Sequence, residues 1–251
     1  MTPHTDLQDI TETNRVFYNT FWSSSSLVQP DRFNTWPIIS ELLPSSPKRL
    51  EVGPGLRPRL PINGTHFIDI STPAIEELNL CGGNAVVGEF RTLPYSNQQF
   101  DLVCAFDVIE HLSDDRQAIA EFSRVLKDGG ILIISVPLHT HLWTAFDDWT
   151  GHARRYDPVD LLATLTDNQL ALQKSAAFGM QPSKPDQNKF GKWCLNYERQ
   201  DALLIFNRVM VLNINFQKNL NIVNGMLDTT GVDELLLVCK RNVRTSQNRY
   251  N

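Results

Sequence analysis

Two carboxylates and a glycine turn stand where a nucleoside could be held. Leu50-Glu51-Val52-Gly53-Pro54-Gly55 and His66-Phe67-Ile68-Asp69-Ile70-Ser71 each read as an apolar strand running into a turn. Glycine at 53 and 55 lets the backbone turn tightly and approach a ligand with no Cβ in the way. Asp69, closing the second strand, can accept hydrogen bonds from both ribose hydroxyls. A dinucleotide site asks for Gly-x-Gly-x-x-Gly, its third glycine packing a helix whose N-terminus faces a pyrophosphate. Here that third position is Pro58, flanked by Arg57 and Arg59, and Pro61 and Gly64 leave little room for a long first helix. Glu51 would repel a pyrophosphate. It suits a cation instead, such as the sulfonium or α-ammonium end of S-adenosylmethionine.

The next segments extend the pattern. Val86-Val87-Gly88-Glu89 reads as a third strand ending in a carboxylate, followed by Leu93-Pro94-Tyr95. Phe100 to Phe106 reads as a fourth strand running into Asp107-Val108-Ile109-Glu110-His111-Leu112. With Lys127-Asp128-Gly129-Gly130, this order of motifs resembles the class I S-adenosylmethionine-dependent methyltransferases, closest to the small-molecule group called type 11. The resemblance covers residues 48 to 180 and the last strand near 234 to 240. Arg57 departs from it, standing where many members have a third glycine. The resemblance implies Glu51, Gly53 and Gly55 at the methionine portion of the cofactor, Asp69 at the ribose, Glu89 and Phe90 near the adenine, and Phe106 lining the site.

His111 is the candidate acid–base residue. An unperturbed histidine pKa of about 6.5 suits deprotonation of a hydroxyl or amine near neutral pH. Substrate binding and a structural hydrogen bond are its other readings. The polar, aromatic stretch from His139 through Trp143 to Gly151-His152-x-Arg154-Arg155-Tyr156 is the expected acceptor pocket. Arg154 and Arg155 either clamp an anionic acceptor bidentately or fix the loop, with Asp147 or Asp148 as partner. His139, His141, Asp147, Asp148 and His152 match no metal-ligand spacing, so no metal is expected. The Asp/Asn-Pro-Pro-Tyr/Phe motif of many amino methyltransferases is absent after the fourth strand.

The elements that must position these residues alternate between strands and helices, which argues for a doubly wound, Rossmann-like, mainly parallel α/β sheet. Seven strands are expected, and the resemblance makes the last antiparallel. Thr72-Pro73 opens one helix, Ser113-Asp114-Asp115 a second and Asp157-Pro158 a third. Ala118, Ile119, Phe122, Val125 and Leu126 recur at helical spacing, so one face packs on the sheet. Residues 1–47 form a helical N-terminal extension that could act as a lid. Residues 48–241 form the methyltransferase domain, with an insertion at 181–232, helical from Trp193 to Leu220, serving as a lid or as cover for a sheet edge or partner. Residues 242–251 form a flexible tail.

Bulk properties narrow the function. The chain has 251 residues, 23 Lys and Arg against 28 Asp and Glu, and a net charge of −5. That disfavours a nucleic-acid coat protein, which would show a basic face. The four cysteines have no paired or zinc-like spacing, consistent with a reducing cytosol. Neither a signal peptide nor a membrane span is expected. The expected activity is methyl transfer to a small-molecule acceptor, with O- or N-methylation favoured. A non-catalytic adenosylmethionine-binding or partner-stabilising protein is the alternative. An NAD-dependent oxidoreductase fits Pro58 and Glu51 poorly.

Overall fold

The computed structural model describes residues 7–179, 214 and 217–243. Among the described residues, eight strands form one sheet in the order β3-β2-β1-β4-β5-β8-β6-β7. They are β1 (Arg49–Val52), β2 (Thr65–Asp69), β3 (Asn84–Val87), β4 (Phe100–Phe106), β5 (Leu126–Pro137), β6 (Leu170–Phe178), β7 (Val223–Asn224) and β8 (Glu234–Arg241). The first five pair in parallel. β8 runs antiparallel between β5 and β6. Strand order reverses beside β1, between β2 and β4, which is where an open α/β sheet leaves a crevice at its carboxyl rim.

The described residues include the helices α1 (Leu7–Ser23), α2 (Trp36–Leu42), α3 (Thr72–Leu80), α4 (Asp115–Val125), α5 (Ala145–Thr150) and α6 (Pro158–Asp167). Asp114 opens α4 by accepting the Gln117 N–H at 3.0 Å. Asp157 does the same for α6, accepting from Val159 at 2.8 Å. The α4 face expected to pack does so: Ala118, Ile119, Phe122 and Val125 are wholly buried. Burying a side chain the size of Phe122 contributes about 1.5–3 kcal/mol. No helix separates β1 from β2; residues 53–64 form turns, as the prolines and Gly64 require.

Three local details differ from the sequence expectation. The sheet has an eighth strand: Val223–Asn224 pairs with Lys174 and Ser175 of β6 inside the segment read as an insertion. Gly225, at φ +71°, then turns the chain and its N–H bonds Gln173. β5 begins at Leu126, five residues before the apolar run at Ile131, with a register shift opposite Phe100 and Leu102. Thr72 is not the cap of α3. Ser71 holds that position without a side-chain cap, and the Thr72 N–H donates to Asn19 of α1 at 3.0 Å. Most of the insertion, from 181 to 213, and the tail beyond 243 lie outside the described residues.

Helix α1 lies along the carboxyl rim. Phe17, Phe21 and Trp22 pack with Leu56, Ala74 and Trp149. Among the described residues, no helix is long and apolar enough to cross a membrane.

Candidate active site

The turn after β1 takes its shape from two carboxylates. Asp69 accepts the Gly55 N–H on one oxygen and the Ser71 N–H on the other, both at 2.8 Å. Glu51 accepts from the Arg59 N–H at 2.8 and 3.0 Å and from the Leu60 N–H at 2.9 Å. Burial pushes the Glu51 carboxyl up to about 7, although the Arg59 and Leu60 N–H bonds oppose it. Burial likewise raises Asp69 to about 6 against the Ser71 and Gly55 bonds. Gly53 and Gly55 have φ of +65° and +53°, where side chains are strained. A Cβ on Gly53 would meet Val108 at 2.6 Å, and one on Gly55 would meet the Trp22 ring at 2.0 Å. The guanidinium of Arg57, in the position of the family's third glycine, lies over the rings of Phe21 and Trp22 at 5.5 and 5.2 Å.

A second group of ionisable side chains stands behind this turn, with Glu234 and Arg59 buried and Asp107 exposed. Asp107, at φ +53°, follows β4 and accepts the Ser135 hydroxyl at 2.7 Å. Glu234, the first residue of β8, pairs in register with Pro137 and Phe178 and is buried. Burial and the neighbouring Asp107 carboxyl, with which it shares a hydrogen bond, push Glu234 well above the carboxylate range. Arg59 lies 3.6 Å over the Phe33 ring and 5.5 Å from that of Phe106. Its Nε and Nη1 are buried without a hydrogen-bond partner.

The third group surrounds His111. Its Nε2 is 3.1 Å from the Tyr18 hydroxyl, and its Nδ1 is 3.3 Å from the Gly151 carbonyl. The His152 ring stacks edge-on at 4.7 Å. Burial, with His152 adding to it, pushes the His111 pKa down to about 3. The ring is therefore neutral at neutral pH and a weak base, suited to accepting a hydrogen bond. Glu110 is wholly buried, neither oxygen has a hydrogen-bond partner, and burial with nearby Asp107 raises its pKa well above the usual range. His152 Nδ1 is 2.9 Å from Asp147. Arg155 grips both Asp147 oxygens at 2.8 and 3.1 Å and reaches Asp233 at 2.7 Å. Burial alone would raise Asp147, but hydrogen bonds from His152, Arg155 and Thr144 hold it well below its usual value.

The remaining sequence candidates spread along the rim. Glu89 is exposed and pairs with Arg91 at 3.0 Å, whereas Phe90 is buried beside Gly53. His139 Nε2 is 2.9 Å from the Thr229 carbonyl. Trp143 is exposed, its indole N–H donating to Asp148 at 2.9 Å. Arg154 reaches Asp115 and donates to the carbonyls of Leu112 and Ser113 at 2.7 and 2.9 Å. The Tyr156 hydroxyl donates to Asp115 at 2.9 Å. Both arginines thus have the internal partners of a loop-fixing role, and Asp147 is the partner of Arg155.

Arg59, Glu110 and Glu234 were not among the sequence candidates. The signal for Glu234 was available. In an antiparallel last strand, the first residue lies at the same rim as the carboxyl ends of the parallel strands.

Residues 56–134 match the family model described as a methyltransferase domain, of type 11. Over 137 residues the chain is 31% identical to the tRNA (carboxymethyluridine(34)-5-O)-methyltransferase of Arabidopsis thaliana, a match covering 51% of this chain and 32% of that protein. The chain thus spans about a third of that relative's length. A solved methyltransferase of Thermotoga maritima, described as a possible histamine N-methyltransferase, has the same fold (TM-score 0.57, 14% identity, 92% of this chain and 94% of that one). So does the [4+2]-cyclase SpnF (TM-score 0.58, 15% identity, 94% and 96%). In the sequence of residues 56–134 and in fold, the chain is similar to class I, type 11-like methyltransferases.

Proposed function

We propose that this chain, which resembles the class I, type 11-like methyltransferases, transfers the methyl group of S-adenosylmethionine to an oxygen or nitrogen of a small acceptor. The observation that carries this reading is the pair Glu51 and Asp69, buried on either side of the Gly53–Gly55 turn where strand order reverses. The donor set fits the cofactor. Carboxylates suit ribose hydroxyls and an ammonium, and the buried, unpartnered N–H groups of Arg59 suit a carboxylate. S-adenosylmethionine would supply a methyl group on a sulfonium, and S-adenosylhomocysteine is the product.

Asp69 would hold the ribose, with Glu51, Gly53 and Gly55 at the methionine portion, Glu89 and Phe90 at the adenine and Phe106 along the wall. The protein's main work is alignment, since the sulfonium is already a good leaving group. On transfer the acceptor atom would bond the methyl carbon as the S–C bond breaks, the electron pair of that bond staying on sulfur and the acceptor's proton leaving to water. The Tyr18 hydroxyl marks where an acceptor O–H or N–H can donate to His111 Nε2. His139, Trp143 and His152 would contact the acceptor. Arg154, Arg155 and Tyr156 act as positioning residues through Asp115 and Asp147. The free thiols of Cys81, Cys104 and Cys239 agree with a cytoplasmic protein.

The Arabidopsis relative named for a tRNA uridine motivates a second reading, an RNA acceptor, which the net charge of −5 disfavours. The test is transfer of isotope-labelled methyl from S-adenosylmethionine into a small-metabolite extract and, separately, into total RNA. Label in the extract supports the small-acceptor reading, and label in RNA alone replaces it. Label in neither, with cofactor bound, supports a non-catalytic binding protein.

A further inference from the structure

We propose that Glu110, His111 and His152 bind one divalent transition-metal ion of the zinc and iron class. Among the described residues, these three side chains present donor atoms that all lie within 4.8 Å of one another. Glu110 Oε1 is 3.9 Å from His111 Nε2 and 4.0 Å from His152 Nε2. Both separations are too long for hydrogen bonds. They are close to those of donors flanking a shared ion, which stand about 3–4 Å apart when each bond is about 2.0–2.2 Å. The Glu110 carboxyl is wholly buried and both of its oxygens lack a hydrogen-bond partner. Such a group is costly unless something positive meets it.

The histidines are prepared for the same role. His152 Nδ1 faces Asp147 at 2.9 Å, so that nitrogen carries the proton and Nε2 keeps its lone pair toward Glu110. His111 Nδ1 faces the Gly151 carbonyl at 3.3 Å, with the same consequence for its Nε2. Carboxylates and carbonyls behind metal-bound histidines fix tautomer and orientation in this way. Asp147 is itself held by Arg155 and by the Thr144 hydroxyl at 2.8 Å. Gly151, left-handed at the end of α5, turns the chain back so that the Ala153 N–H bonds the Glu110 carbonyl at 2.7 Å. Two histidines and one carboxylate on one face leave other coordination positions open. The Tyr18 hydroxyl, 3.1 Å from His111 Nε2, would give up that contact to the ion, and the acceptor would then meet the ion rather than the ring. If the chain transfers methyl groups, as proposed above, an acceptor hydroxyl bound to the ion would lose its proton to water near neutral pH.

The test uses the full chain, stripped with a chelator and dialysed against Zn²⁺, with bound metal counted per chain. About one ion per chain is expected. Affinity should fall at least tenfold in Glu110→Gln and in Asp147→Asn, and stay unchanged in His141→Ala. Co²⁺ titration of the wild type keeps the question open to a negative answer if a variant fails to fold. A visible band saturating at one equivalent, without a thiolate-to-metal band, is expected. The proposal fails if the wild type binds no ion, if Glu110→Gln binds as tightly, if His141→Ala alone loses binding, or if the Co²⁺ spectrum shows cysteine ligation. S-adenosylhomocysteine binding is measured separately on the stripped chain. Metal without it overturns the methyl-transfer reading alone, and the reverse overturns the metal site alone.

Discussion

The Tyr18 hydroxyl of α1 lies 3.1 Å from Nε2 of His111, 93 residues further along the chain. The helix that carries Tyr18 also sets the Trp22 ring on Gly55 and Asn19 against the start of α3. One helix therefore touches the glycine turn, the end of β2 and the histidine group. Tyr18→Phe removes one buried hydrogen bond while the other α1 contacts stay. It should cost about 1 kcal/mol, a fall in Tm of about 2–4 °C at this size. Proteolytic cutting at Ser23–Ser26 should quicken in this variant and slow when S-adenosylhomocysteine is added. Cutting that is identical with and without the ligand would contradict a covering role for α1.

Gly55 and Trp22 should be energetically coupled. Gly55→Ala places a Cβ against the indole in a strained backbone region and should cost about 1–3 kcal/mol. Trp22→Ala removes that obstacle, so the double variant should be less destabilised than the sum of the two, with a coupling of about 0.5–3 kcal/mol. Urea unfolding of the four proteins measures the cycle. Strict additivity would mean the ring moves aside freely.

The turn carboxylates give the apo protein a particular pH dependence. Glu51, raised from 4.5 to about 7, and Asp69, raised from 3.8 to about 6, hold their protons more tightly folded than unfolded. Their contribution is fully present below the unfolded pKa values and is lost as pH rises through about 6 to 7. For Glu51 the change is about 3 kcal/mol. Glu51→Gln keeps an acceptor oxygen but no charge. Its stability relative to wild type should therefore improve between pH 5 and pH 8, read from urea midpoints. A difference that does not vary with pH would contradict the shift.

Arg155 holds two buried or half-buried acids from different parts of the chain, Asp147 and Asp233. Arg155→Ala leaves both without their cation and should cost about 3–5 kcal/mol. The expected result is a large fall in Tm. A loss under about 1 kcal/mol would mean the acids take up protons at little cost.

Much of the fold was legible because its signals are local. The glycine turn, the Asp114 and Asp157 caps, the apolar face of α4 and the prolines that deny a first helix are all set by neighbours a few residues apart. The two-residue strand Val223–Asn224 was not legible, because pairing to β6 rather than length makes it a strand. The site divided the same way. Glu51, Gly53, Gly55 and Asp69 sit in one recognisable spacing. Glu110, His111 and His152 come together only through the Gly151 turn and the Ala153–Glu110 bond, and sequence distance hides that. Arg155 read equally well as an anion clamp, since Asp147 and Asp233 converge on it only in three dimensions.

The most direct test of the central claim is thermal unfolding of wild type and Asp69→Ala with S-adenosylmethionine, S-adenosylhomocysteine and NADH in parallel. A ligand at a hundred times its Kd adds about 2.7 kcal/mol, and each kcal/mol moves the midpoint by about 2–4 °C. A rise is expected with both adenosyl sulfur ligands and none with NADH, and the rise is lost in Asp69→Ala. A rise with NADH alone, or none with either adenosyl ligand, would contradict that claim.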